Sequence, residues 1–240
     1  MATKRRAAAK GKARGASARK RAASASKRAA SARPRAAGRR AESKREIRER
    51  IVGAALSLFQ TKGFDATTTK AIARKARVAE GTVFNYFKSK DDIALHFFER
   101  EVDQAMAAVR DNPRLRKAPL EEKLFTLVHS QLEYLAHHER FIGAAFVHAL
   151  KPASPLGVFS HRAQALRHRY LAFVRELIEE STPKTRRGAL TVFAPDLFWM
   201  YYLGVLLYWL GDASAGKQNT LAFLDRTLNT GVSMLRRGWL

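Results

Sequence analysis

Basic side chains are the groups whose type and spacing first point to a chemistry. Residues 1–41 hold fifteen Lys and Arg and no Asp or Glu, a charge run suited to neutralising the phosphates of a polyanion. Catalytic constellations are harder to find. The 240-residue chain has no Cys, which removes thiol nucleophiles, disulfides and Cys-ligated metal sites. No Gly-rich phosphate loop, nucleophile elbow or clustered acid–base pair is legible, so the chain reads as a non-enzyme with no catalytic residues. His129, His137, His138, His148, His161 and His168 form no compact metal signature, and Glu133 with His137 is one i, i+4 pair, too few for a site. The expectation is no metal and no cofactor.

Across the whole chain 45 Lys and Arg oppose 21 Asp and Glu, a net charge of +24, of which +15 lies in residues 1–41. After Met1 that segment has Ala as its only non-Pro apolar residue, so burial cannot offset its chain-ordering entropy. Residues 1–42 are expected to form a disordered Lys/Arg/Ala/Ser-rich tail that adds non-specific DNA affinity. The longest uncharged apolar stretch, Leu197 to Leu210, has 14 residues, whereas a helix needs about 20 to cross a bilayer. That predicts a soluble protein with no membrane partner.

From Lys44 the pattern becomes helical, with Ile47, Ile51, Ala54, Ala55 and Leu58 on one stripe and Gly63 as the natural stop. A short second helix is predicted over Thr67 to Ala76, then a tight Arg77-Val78-Ala79 turn and a third helix over Glu80 to Phe87. Ser89 and Asp92 form a capping-box pattern, and the long helix they open should run until Asn112-Pro113. Further helices are predicted at about 119–137, 139–150, 156–180, 195–210 and 216–237, with a Lys151–Pro155 loop and a stop at Thr182-Pro183. No stretch alternates with period two. The expected fold is all-α with about nine helices: a three-helix head over 43–90 and a helical body over 91–240.

Two short helices joined by a turn as tight as Arg77 to Ala79 match a helix-turn-helix, whose last helix enters the DNA major groove. The residues sharpen this: Phe64-Asp-Ala-Thr-Thr-Thr69, Ile72-Ala73, and Val78-Ala-Glu-Gly-Thr-Val-Phe-Asn-Tyr-Phe-Lys-Ser-Lys-Asp-Asp-Ile93. Over about residues 44–95 the chain resembles the DNA-binding head of the tetracycline-repressor (TetR) family of bacterial regulators. The resemblance implies that Thr68 or Thr69 caps the second helix and bonds a phosphate. It implies that Thr82 and Asn85 face bases or nearby phosphates, that Tyr86 touches the backbone, and that Lys90 grips a phosphate. Arg77, Gly81 and Lys88 complete the expected DNA-binding set, Gly81 by allowing close approach of a helix or of the phosphate backbone.

Departures from the family pattern carry their own expectations. Phe84 replaces a common Tyr, so packing becomes its role. Arg77 stands where many members have Gly, and a positive φ there would strain it by roughly 1 kcal/mol. Ala79 replaces a capping Ser or Thr, and Glu80 a common Lys or Arg.

In the body, Pro195 to Leu210 is apolar nearly all round and should bury two faces. The resemblance implies a homodimer through the last two helices, with Leu203, Leu207, Leu221, Leu224, Leu228 and Leu235 as interface candidates and intrachain core as the alternative for each. It also implies a small hydrophobic effector, for which Phe97, Met106, Phe125, Tyr134, Phe146, Tyr170 and Trp199 supply surface, simple core again being the alternative. The implied function is a sequence-specific, ligand-responsive transcriptional repressor of the bacterial cytoplasm, binding a palindromic operator in double-stranded DNA. The competing reading is an architectural nucleoid-associated protein dominated by its tail.

Overall fold

The computed structural model describes residues 42–149, 151, 154, 156–157, 160–182 and 189–237. The tail expected over 1–42 lies outside the described residues apart from residue 42, as do Pro183 and most of the Lys151–Pro155 loop. Every regular element among the described residues is helical. Helix α1 covers residues 42–62 and contains the boundary between two compact units, Met1–Arg50 and Ile51–Leu240. Of the first unit, residues 42–50 are helical and exposed apart from half-buried Ile47.

The second unit opens on the apolar stripe of α1, with Ile51, Ala55 and Phe59 wholly buried. Gly63 ends the helix at φ 90°, a left-handed conformation that glycine adopts without Cβ strain, and its N–H reaches the Phe59 carbonyl at 3.1 Å. Helices α2 (Thr69–Ala76) and α3 (Glu80–Tyr86) pack on each other and complete the head. Helix α4 (Lys90–Arg110) starts at the expected cap: Ser89 Oγ accepts from Asp92 N at 3.2 Å. Asp92 Oδ2 accepts from Lys88 N at 2.9 Å, so the acid of the box serves the residue before the cap.

The body consists of α4, α5 (Leu120–Leu135), α6 (Glu139–Ala149), α7 (His161–Ser181), α8 (Ala189–Gly211) and α9 (Gln218–Arg237). Helix α5 packs against α4, α7 and α9, and α8 lies between α7 and α9. An aromatic cluster joins head and body. Phe141 of α6 stacks on Phe59 with centroids 4.9 Å apart, and Phe64 and Phe97 lie 5.9 and 5.6 Å from the same ring.

Helix α8 differs from its sequence expectation in two ways. It begins at Ala189, with Pro195 inside it, where Pro195 had marked the start. The apolar run before the proline continues the helix, and the ring removes one backbone hydrogen bond. Second, the helix buries one face within the chain, through Phe198, Tyr202, Val205 and Trp209. Its other face exposes Phe193, Leu197, Met200 and Leu207 by 61, 53, 65 and 57%. The stretch Val192–Gly211 is 20 residues long, enough by length and composition to cross a membrane.

The α8–α9 turn is held by charge. Lys217, at φ 56°, donates from Nζ to the Trp209 and Asp212 carbonyls at 3.0 and 2.8 Å and to Glu139 Oε1 at 2.8 Å. Asp212 accepts from the backbone N–H and hydroxyl of both Ser214 and Thr220. Those bonds, the Thr220 and Ser214 hydroxyls first, hold its carboxyl well below the usual carboxylate range.

Candidate functional site

The turn between α2 and α3 is built by backbone geometry. Thr68 caps α2, its hydroxyl accepting from Ala71 N at 3.2 Å. At the other end the N–H of Val78 reaches the Ala73 carbonyl at 3.0 Å and that of Arg77 the Arg74 carbonyl at 3.2 Å. This pair of bonds is a Schellman motif, and it requires a left-handed residue between helix and turn. Arg77 supplies it at φ 54°, ψ 48°. An L side chain in that region is strained by about 1 kcal/mol relative to Gly. Arg77→Gly is therefore expected to raise the free energy of unfolding by about 1 kcal/mol, read as a higher urea midpoint at unchanged slope; a lower midpoint would show that the guanidinium makes a larger contribution than the strain.

Val83 is the one buried residue of α3. Gly81, Phe84 and Asn85 are exposed, and Thr82 and Tyr86 are half-buried. Phe84, expected to pack, is 50% exposed because Val83 and Phe87, on its two sides, already fill the inner face. A Cβ at Gly81 would meet no atom within 4 Å, so nothing in the chain's own packing requires glycine there. Ala79 caps α3 without a side-chain bond. Exposed Lys70, Arg74 and Lys75 of α2 and exposed Lys88 add cations to this face of the sequence. The three on α2 were not among the expected contacts, although four basic residues (Lys70, Arg74, Lys75 and Arg77) stand between Asp65 and Glu80 with no acid among them.

Two of the expected phosphate ligands have partners within the head. The Thr69 hydroxyl donates to Glu80 Oε1 at 3.0 Å, which ties the acid at the start of α3 to the start of α2. Lys90 donates to the carbonyls of Phe64 and Asp65 at 2.8 and 3.1 Å and stands 4.6 Å over the Phe64 ring. Two of its three N–H groups thus fix the α1–α2 loop, and one remains.

The body holds a partly open cavity of about 150 Å³ between α4, α5, α6, α7 and α8. Of the seven expected effector residues, Phe146, Tyr170 and Trp199 line it. Phe97, Met106, Phe125 and Tyr134 do not: Phe97 and Tyr134 pack together at 5.1 Å, Phe125 stacks on His129 at 5.6 Å, and Met106 is half-buried elsewhere on α4. Leu224 and Leu228, named as interface candidates, are intrachain core at 0 and 5% exposure.

Sequence reading missed the polar lining. Glu101 and Gln131 reach the cavity while almost wholly buried, and the Tyr170 hydroxyl donates to Gln131 Oε1 at 2.8 Å. Burial pushes the Glu101 carboxyl up to about 8, and the Gln131 side chain offsets part of that. The Tyr170 and Tyr202 phenols are raised well above their ordinary range by burial and by the Glu101 charge. The signal in the sequence was an acid inside the apolar stripe of α4, between Phe97 and Val102.

Two cavity-lining helices also hold the head. Helix α4 does so through Lys90. Helix α6 does so through Arg140, whose Nη1 donates to the Gln60 and Thr61 carbonyls at 3.3 and 3.0 Å, and through His148, whose Nε2 lies 2.8 Å from Asp65 Oδ1. Arg162 of α7 bonds Asp92 and Glu99 and so fastens the first turns of α4 to the body.

Known proteins share this fold. The family described as bacterial regulatory proteins, tetR family, matches residues 51–97, and the tetracyclin repressor-like C-terminal domain matches 123–240. The fatty acid metabolism regulator protein of Bacillus subtilis is 30% identical over 95 residues, 40% of this chain and 48% of that protein. The chain thus spans less than half the length of this curated relative. A TetR transcriptional regulator from Nitrosomonas europaea superposes with a TM-score of 0.60 at 22% identity, covering 81% of this chain and 99% of that one. Thermus thermophilus FadR, a TetR-family transcriptional repressor crystallised with lauroyl-CoA, gives 0.56 at 24% identity, covering 80 and 95%. Matched over both its DNA-reading head and most of its body, the chain belongs to the TetR family of bacterial regulatory proteins.

Proposed function

We propose that the chain is a homodimeric, ligand-responsive transcriptional repressor that reads a palindromic operator from the bacterial cytoplasm. The observation that carries this reading is α3, held by the Schellman turn with Phe84 and Asn85 exposed beside Gly81 and Thr82. Asn85 and Thr82 have the donors and acceptors to read base edges, Phe84 suits a thymine methyl or sugar, and Arg77, Tyr86, Lys88 and the third N–H of Lys90 suit phosphates. Thr68 and Thr69 flank the same turn. The basic tail of residues 1–42 adds non-specific affinity.

Dimerisation is supported by the outer face of α8. Phe193, Leu197, Met200, Gly204 and Leu207 recur at intervals of four, three, four and three, the seam of paired helices. A Cβ at Gly204 would meet nothing within 4 Å, so the gap admits a second backbone. A two-fold partner across α8 and α9 covers this stripe and places two α3 helices about 34 Å apart, or a multiple of that. Effector response is supported by the sharing of α4 and α6 between cavity and head. The lauroyl-CoA bound by the Thermus repressor makes apolar acyl molecules the first effector class to test.

Selection from a random duplex pool tests the reading, with the wild type beside a Leu197→Glu, Met200→Glu variant. The wild type is expected to enrich two inverted half-sites, and the variant to lose at least a hundredfold in operator affinity. Enrichment of no site by the wild type would favour the architectural alternative, in which the tail dominates; a fully active variant would remove α8 from the interface.

A further inference from the structure

The cavity is largely apolar, and the polar groups in its lining are incomplete. Glu101 on α4 and Gln131 on α5 are 3 and 1% exposed, and both line the cavity. Glu101 Oε1 and Gln131 Nε2 complete no hydrogen bond of ordinary geometry among the described residues, although the two side chains are close enough for Gln131 to favour the Glu101 carboxylate. Arg167 on α7 lines the same cavity with its Nε buried and unpartnered, while its Nη2 is 3.2 Å from Asp196 Oδ1. The Tyr170 hydroxyl occupies Gln131 Oε1, which leaves the amide NH2 as the open end of that side chain. Natural interiors rarely leave buried donors unmatched, and a site built around them discriminates strongly against molecules lacking the complementary atom.

The sign of that complement follows from the open atoms. Gln131 Nε2 and Arg167 Nε are donors only. Burial pushes the Glu101 carboxyl up to about 8, so its protonated form, which can donate as well as accept, is favoured at neutral pH. A carbonyl oxygen accepts two bonds and donates none, whereas an ammonium would meet a cavity that already holds the Arg167 cation. The surrounding walls are apolar, aliphatic side chains such as Leu135 and Ile142 alternating with the rings of Phe98, Phe146, Trp199 and Tyr202. The volume of about 150 Å³ is that of a site able to hold a benzene ring.

We propose that Glu101 and Gln131 form an oxygen-acceptor subsite, so that the effector, or the part of it that enters this cavity, is an apolar ring or chain bearing a carbonyl. The inference rests on the reading of the cavity as the effector site, and it sharpens that reading. A plain hydrocarbon tail would leave the Glu101 and Gln131 donors unmatched.

Three probes of one shape separate the possibilities: acetophenone, α-methylstyrene, in which C=CH2 replaces C=O, and 1-phenylethylammonium. Their affinities for the full chain at pH 7 are read by ligand-observed NMR titration. Acetophenone is expected to bind at least about tenfold tighter than α-methylstyrene, the ratio that one unmatched buried hydrogen-bonding group corresponds to. Glu101→Leu is expected to bring the ratio towards one, and Glu101→Gln, which keeps an N–H donor, to preserve it. Equal binding of the first two probes by the wild type overturns the subsite while leaving the cavity as an effector site. Tightest binding of the ammonium overturns it in favour of a cation held by the carboxylate. Binding of none of the three sinks the effector reading itself. The wild-type comparison decides these outcomes even where Glu101→Leu does not fold.

Discussion

A chain starting at residue 42 binds non-specific duplex DNA with a much shallower salt dependence than the full chain. Fifteen cations without an acid are removed, and each phosphate neutralised contributes about 0.9 to the slope of log affinity against log salt. With about half of them in contact at once, the slope falls by about seven, and the full chain loses about 10⁴-fold more affinity than the truncated one between 50 and 200 mM salt. Fluorescence anisotropy across that range measures it. The enriched operator is expected to stay the same in both chains, because the groups proposed to read bases are on α3. Identical slopes would remove the tail from the interface.

Glu101 makes the stability of the wild type fall with rising pH, and Glu101→Gln removes that fall. The carboxyl titrates near 8 in the folded chain against 4.5 when exposed. Below pH 4.5 both states hold the proton and burial of this group carries no pH-dependent penalty. Between 4.5 and 8 the unfolded chain releases it while the folded chain keeps it, so stability drops by about 1.4 kcal/mol per pH unit. From pH 5 to pH 8 the wild type is expected to lose about 3 kcal/mol more than Glu101→Gln, in urea titrations of both proteins. Other titrating groups, Asp212 among them, are common to the pair and cancel. Parallel curves would mean that water or a counter-charge reaches the carboxyl.

The head was legible in the sequence because its instructions are local. Thr68, Gly63 and Ser89 each act within four residues, and the structure uses all three where the pattern places them. Arg77 follows the same logic: a turn of that length needs a left-handed residue whatever side chain it carries. The cavity of the body depends instead on which face of each helix meets a neighbour. Phe97 and Phe98 differ by one position, or about 100° around α4, and both reach the Phe141 ring, but of the two it is Phe98 that also lines the cavity. An apolar stripe alone does not resolve that step. The intrachain partners of Lys90 were not legible for a related reason, since the carbonyls of Phe64 and Asp65 are more than twenty residues away in sequence and only the fold brings them within reach. The N-terminal extent of α8 escaped because Pro195 reads as a helix start, a position proline also tolerates.

The Schellman turn has a consequence for how such a protein diversifies. The position of α3 is set by backbone bonds to Ala73 and Arg74 and by a single buried anchor, Val83. Gly81, Thr82, Phe84 and Asn85 therefore contribute little to the placement of the helix that carries them. Recognition and foldability are separable variables here: selection, or an engineer, can rewrite those four positions to address a new operator while the remainder of the chain keeps its architecture. The same separation lets an unchanged sensor be rewired to a different gene.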